Sequence, residues 1–201
     1  MDKDLAWRHT VEQRRALAGI LGSLSPEEWE HESLCAGWTV RDVAAHVITS
    51  PQLQQGRLIW ETVKAGGNVS AVALRDAKRR AAAPTSEILA DYERLAEGKK
   101  HFIGTGRADL LLDVIVHTQD IVRPLGRTHA VPPEAAALAA DRARRLAFLL
   151  HSRSAIRQHR MVATDVDWDR GKGSVIEAPM LELLMMCAGR GVSVSPDIRG
   201  N

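Results

Sequence analysis

Only two cysteines, Cys35 and Cys187, occur among 201 residues. They lie far apart and outside any Cys-x-x-Cys spacing, so neither a disulfide framework nor a cysteine zinc cluster is expected, and a reducing cytoplasm suits the chain best. Net charge is nearly absent: 27 basic against 25 acidic side chains leave +2 with histidine neutral. The pI near 8.7 reflects that small surplus. A nucleic-acid ligand is therefore not expected, because neutralising several phosphates takes a concentrated basic face. No segment approaches the ~18 apolar residues of a membrane span, and the charged start Met1-Asp2-Lys3-Asp4-Leu5 lacks the apolar core of a secretion signal. Repeats, low-complexity stretches and long linkers are missing too. What remains, with 45% hydrophobic and 26% charged residues, is the composition of a globular chain with one full-sized domain, or one domain and a small appendage.

The first two-thirds is written in a helical period. Leu5, Leu17, Ile20, Leu21 and Leu24 share one face of a helix that Pro26 is expected to end. Thr39 is placed to cap the next helix at the amide of Asp42, with Trp38 and Val43 as a hydrophobic staple. That helix is expected to run on, kinked near Pro51, to Lys64 and the stop at Gly66-Gly67-Asn68. A short basic helix over 74–82 follows, then one from Pro84 carrying Ile88, Leu89, Tyr92, Leu95 and Phe102. The most apolar helix spans 109–125, and Pro132-Pro133-Glu134 opens another that reaches His151. Beyond Ala155 the texture changes to a strand over 160–168, a turn at Gly171-Lys172-Gly173, a hairpin partner over 174–177 and a short helix over 179–188. The expected architecture is mainly α: an antiparallel helical bundle over 1–153 with a small α/β extension over 154–201.

One constellation carries chemistry. On the 109–125 helix, Asp113, His117 and Asp120 fall within about 60° of one another at ~100° per residue. They form a polar stripe in a helix otherwise made of Leu110, Leu111, Leu112, Val114, Ile115, Val116, Ile121 and Val122. Charged groups in such a setting need partners. His46, among Val43, Ala44, Ala45 and Val47 on the capped helix, is the candidate partner. A divalent cation held by His46, Asp113 and His117 would satisfy these donors and keep a position open, as catalytic zinc does. Asp120, one turn beyond His117, is placed to orient an imidazole N–H or to act as a general base. The plainer reading of Asp113 and His117, a hydrogen-bonded core pair, stays open. His9, His31, His101, His129, His151 and His159 lack such surroundings, and the runs at Lys78-Arg79-Arg80 and Arg142 to Arg145 read as solvated helix faces.

Three stretches carry a resemblance. Leu34-Cys35-Ala36-Gly37-Trp38-Thr39-Val40-Arg41-Asp42-Val43-Ala44-Ala45-His46 resembles the opening motif of the mycothiol-dependent maleylpyruvate isomerase family, which belongs to the DinB-like metal-binding bundles. Asp113 through Gly126, with its His-x-x-Asp, resembles that family's second motif, and Val162 through Arg190 its C-terminal hairpin and helix. The resemblance implies a DinB-like up-and-down four-helix bundle with a small C-terminal α/β extension of hairpin plus helix. It also implies a divalent metal ion, most often zinc, on His46, Asp113 and His117. Mycothiol would be the thiol cosubstrate, attacking a small electrophile to give isomerisation through a transient adduct or a stable S-conjugate. Arg190 is the candidate for binding an anion, ahead of Arg41. The family's isomerase commonly has Glu where Asp113 stands, one methylene longer, so the reach of Asp113 is in question, and maleylpyruvate itself is not the expected substrate. The competing class is a non-catalytic DinB-like metal-binding or interaction module. No membrane or nucleic-acid partner is expected, and monomer and homodimer are equally compatible with the sequence.

Overall fold

The computed structural model describes residues 3–48, 55–101 and 105–190. These residues divide into two compact units, with the boundary between His129 and Ala130.

The first unit is the helical bundle. Its helices are α1 (Lys3–Gly22), α2 (Pro26–Glu30), α3 (Val40–Val47), α4 (Gln55–Lys64), α5 (Val69–Ala81), α6 (Thr85–Leu95) and α7 (Arg107–Val122). α1 packs on α6 and α7, and α3 packs on α6 and α7, so these four close into the ring of neighbours that makes a four-helix bundle. α5 lies on α3 and α4. Leu17 and Leu21 of α1, Val40, Val43 and Ala44 of α3, Ile88 and Tyr92 of α6, and Leu111, Val114, Ile115, Ile121 and Val122 of α7 are buried. The Tyr92 hydroxyl donates to the Ala44 carbonyl at 2.8 Å, which satisfies its only polar atom inside the core.

The expected cap at Thr39 is present in reciprocal form. The Asp42 amide donates to Thr39 Oγ1 at 3.2 Å, and the Thr39 amide donates to Asp42 Oδ2 at 3.0 Å. α7 is started by Asp109, whose carboxylate accepts the Gly106 amide at 2.8 Å. Pro26, expected to end the first helix, instead starts α2. Ser25 caps that turn, and proline at the first helical position gives up no hydrogen bond. α5 begins earlier than expected because Asn68 caps it, its Oδ1 accepting the Ala71 amide at 3.0 Å. The expected run of α3 through Pro51 falls outside the described residues, but the helix expected to reach Phe102 does not: α6 ends at Leu95, and the chain is non-helical from there through His101.

The second unit holds α8 (Pro133–Arg145), α9 (Arg153–Gln158), β1 (His159–Ala163), β2 (Asp169–Gly171), β3 (Ser174–Ala178) and α10 (Met180–Cys187). α8, which the sequence reading groups with the bundle, packs on α10 and buries Ala135, Ala136, Ala139, Ala140 and Ala143. The chain does not stay helical to His151, since α8 stops at Arg145. The sheet also differs from expectation. Its order is β2-β1-β3, with β1 antiparallel to β2 and parallel to β3. The hairpin is therefore β1–β2, and the 174–177 segment reaches the other edge of β1 instead of pairing back on the strand before it. Gly171 and Gly173 make this crossing possible. A Cβ at Gly171 would stand 2.3 Å from the His159 carbonyl oxygen, and one at Gly173 would stand 2.2 Å from that of Gln158. Both also have φ above 100°, a conformation open to glycine and costly to other residues.

Candidate functional site

α3 and α7 pack together and bring their polar residues face to face. His46 Nε2 lies 3.6 Å from Asp113 Oδ1, and His117 Nε2 lies 3.5 Å from the same oxygen. The two imidazoles stand edge to face, with centroids 5.2 Å apart. All three donor atoms lie within 4.8 Å of one another. These separations exceed hydrogen-bond length. They approach the spacing of about 3.3 Å between two donors that each lie about 2.0–2.1 Å from one tetrahedral ion. The side chains are partly open to solvent, His46 at 27%, Asp113 at 30% and His117 at 16%. Two imidazole nitrogens and one carboxylate oxygen, all on half-buried side chains, are a donor set that suits a zinc-like cation. The shorter carboxylate of Asp113 thus comes equally near both histidines.

Asp120 sits on the other edge of the His117 ring. Its side chain is fully buried, and its Oδ2 accepts the Nδ1 hydrogen of His117 at 2.9 Å. An ionised carboxylate only accepts, so Nδ1 carries a proton and Nε2 is the nitrogen turned toward Asp113. The charges reinforce this pairing. Burial alone would lower the His117 pKa, but Asp120, Cys35 and Asp113 together push it up to about 10. Burial would raise that of Asp113, but His46, His117 and Arg14 hold it below the usual carboxylate value.

Three contributors escaped the sequence reading. Cys35, set aside there as no metal ligand, donates its S–H to Asp120 Oδ2 at 3.1 Å and lies 3.7 Å from His117 Nδ1. Cys35, His117 and Asp120 form a second group of closely spaced donors. The available signal was position, because the Leu34-to-Trp38 loop leads directly into the helix of His46. Trp38 meets His46 edge to face, with centroids 5.3 Å apart. Arg14 is a buried guanidinium at 1% exposure whose charge acts on Asp113, and its Nη1 donates to the Ala96 and Gly98 carbonyls at 3.3 and 3.0 Å. It occupies the apolar stripe of Leu17 and Leu21, three and seven residues before them, and that intrusion was legible.

The structure brings together His46, Asp113, His117 and Asp120. Arg190 belongs to the second compact unit, where its Nη1 donates to the Ala188 carbonyl at 3.1 Å. Arg41 is engaged elsewhere, by Glu30 at 2.6 Å and the Ala83 carbonyl at 3.4 Å.

Residues 10–102 match the family model of the mycothiol maleylpyruvate isomerase N-terminal domain. Over that stretch, a little under half of its length, the chain is similar to the mycothiol-dependent maleylpyruvate isomerase family. The crystal structure of the mycothiol-dependent maleylpyruvate isomerase has the same fold, with a TM-score of 0.63 at 14% identity over 96% of this chain and 91% of that one. A histidine-to-alanine mutant of that isomerase matches with a TM-score of 0.62 at 13% identity and the same coverage. No curated protein sequence matches the chain. The fold of that crystal structure is thus shared along nearly the whole chain. No helix among the described residues is long and apolar enough to cross a membrane.

Proposed function

We propose that the protein is a metal-dependent, mycothiol-dependent enzyme, a thiol transferase or an isomerase, acting on a small electrophile in the cytoplasm. The observation that carries this reading is the convergence of His46, Asp113 and His117 from two packed helices. The chemistry of the three donors fits a divalent cation, most often zinc in such a set, and His46, Asp113 and His117 would hold it. When bound, a 2+ ion beside one carboxylate and two neutral imidazoles leaves a net positive centre that stabilises a thiolate at neutral pH.

The chain's own residues supply the rest. Asp113 contributes the single negative charge on the open side of the cluster. Asp120 keeps the Nδ1 hydrogen of His117 occupied, so the Nε2 lone pair points at the shared centre. Trp38 walls one side of His46 with an apolar ring, which shields a thiolate and a small electrophile from bulk water. Attack of the thiolate sulfur on an electrophilic carbon forms one C–S bond. On an activated C=C that addition breaks the π bond and leaves its electron pair on the neighbouring carbon; rotation about the new single bond and expulsion of the thiolate give the isomer, whereas protonation of that carbon with the sulfur retained gives an S-conjugate.

The test is thiol consumption by zinc-supplemented protein against a panel of small electrophiles that includes maleylpyruvate. Mycothiol-dependent turnover that disappears in His46→Ala supports the reading. A wild-type protein that binds zinc but accelerates no thiol reaction returns the chain to the class of non-catalytic binding modules.

A further inference from the structure

The loop that joins α2 to α3 touches both candidate histidines, one at each end. At its start, the Leu34 amide donates to the backbone carbonyl of Asp120 at 3.0 Å, and Cys35 S–H donates to Asp120 Oδ2 at 3.1 Å. At its end, Trp38 abuts His46 and Thr39 caps the helix that carries it. Between them the loop is closed on itself. Ser33 Oγ accepts the Cys35 amide at 3.1 Å and donates to the Trp38 carbonyl at 2.9 Å, and Gly37 takes the left-handed turn with φ 78°.

We propose that Cys35 is a positioning residue that acts through Asp120 to lock the His117 ring with Nε2 facing Asp113 and His46. This deepens the metal reading and rests on it. The physical need comes from soft torsions: the terminal χ angles of both histidine and aspartate lie in broad wells, so a single hydrogen bond between them fixes neither plane. His117 and Asp120 share one such bond. The Cys35 thiol adds a second contact on the same Oδ2, and its sulfur sits 3.7 Å from His117 Nδ1. Three atoms therefore fix both planes, and the Leu34 amide fixes the backbone beneath them. The loop then passes that register to His46 through Trp38 and Thr39, so that two helices present their imidazoles to one point.

The experiment compares wild type, Cys35→Ala and Cys35→Ser by Co2+ titration without added thiol, and by water exchange of the His117 Nδ1 hydrogen in the metal-free protein, followed by proton NMR. Cys35→Ala is expected to weaken Co2+ binding on the order of tenfold and to speed Nδ1–H exchange by roughly the same factor. Cys35→Ser keeps a donor at that position and is expected to restore most of both, with melting temperatures near wild type in all three. Unchanged affinity and exchange in Cys35→Ala would overturn the proposal, as would a Cys35→Ser variant no better than Cys35→Ala. A near-ultraviolet thiolate-to-cobalt band in wild type that Cys35→Ser removes would make Cys35 a ligand and also overturn it. If wild type binds no Co2+, the metal reading fails separately, and Nδ1–H exchange alone then decides whether Cys35 positions the ring.

Discussion

Asp120 accepts the Nδ1 hydrogen of His117 at 2.9 Å from a fully buried position, so one edge of that imidazole is tied to the bundle core and the other is left for Asp113. Replacing Asp120 by Ala removes the carboxylate that accepts that hydrogen. Zinc affinity measured by chelator competition is expected to fall between about 10- and 100-fold. Asp120→Asn retains an acceptor oxygen without the charge and is expected to lose less. Equal affinities in all three proteins would show that Asp120 does not orient His117.

The raised pKa of His117 gives the metal-free protein a pH signature. Its ordinary value of 6.5 rises to about 10 in the fold, so the protonated ring stabilises the native state. That contribution is complete below the unfolded value and is lost as pH climbs through the folded one. Between pH 6.5 and 10 the melting temperature of stripped wild type is expected to fall more steeply than that of His117→Gln. Parallel curves would contradict the assignment.

The same proton must leave before His117 Nε2 and a protein-bound cation can share a lone pair. Zinc binding near neutral pH is therefore expected to release protons. Calorimetric binding enthalpies should vary with the ionisation enthalpy of the buffer, and affinity should rise with pH. A buffer-independent enthalpy would refute this coupling.

In the second unit the crossing of β1 depends on glycine. Gly171→Ala places a methyl 2.3 Å from the His159 carbonyl oxygen at a positive φ, so it is expected to destabilise the sheet by more than about 1 kcal/mol. Hydrogen exchange localised to β1 and β2 would report it. Wild-type protection in that variant would mean that the strand crossing is placed wrongly.

Much of the bundle was legible because its signals are local. The cap at Thr39, the apolar run of α7 and the stop at Gly66-Gly67 each lie within a few residues of what they specify. The Asp113–His117–Asp120 stripe followed from helical spacing, and His46 from its place on the apolar side of a capped helix. What failed was non-local. Pro26 is the exception, because the Ser25-x-x-Glu28 capping box that makes it the start of α2 is a local signal. The strand order depends on which edge of β1 remains open after β2 has paired, which no periodicity encodes. Cys35 was missed because its partner lies 85 residues away across the bundle.

The most direct test of the account is the metal content of purified, zinc-supplemented protein, measured by elemental analysis for wild type, His46→Ala, Asp113→Ala and His117→Ala. The account predicts about one tightly held divalent ion per chain in wild type and little or none in each variant. A wild-type protein that holds no ion, or variants that hold as much as wild type, would contradict it.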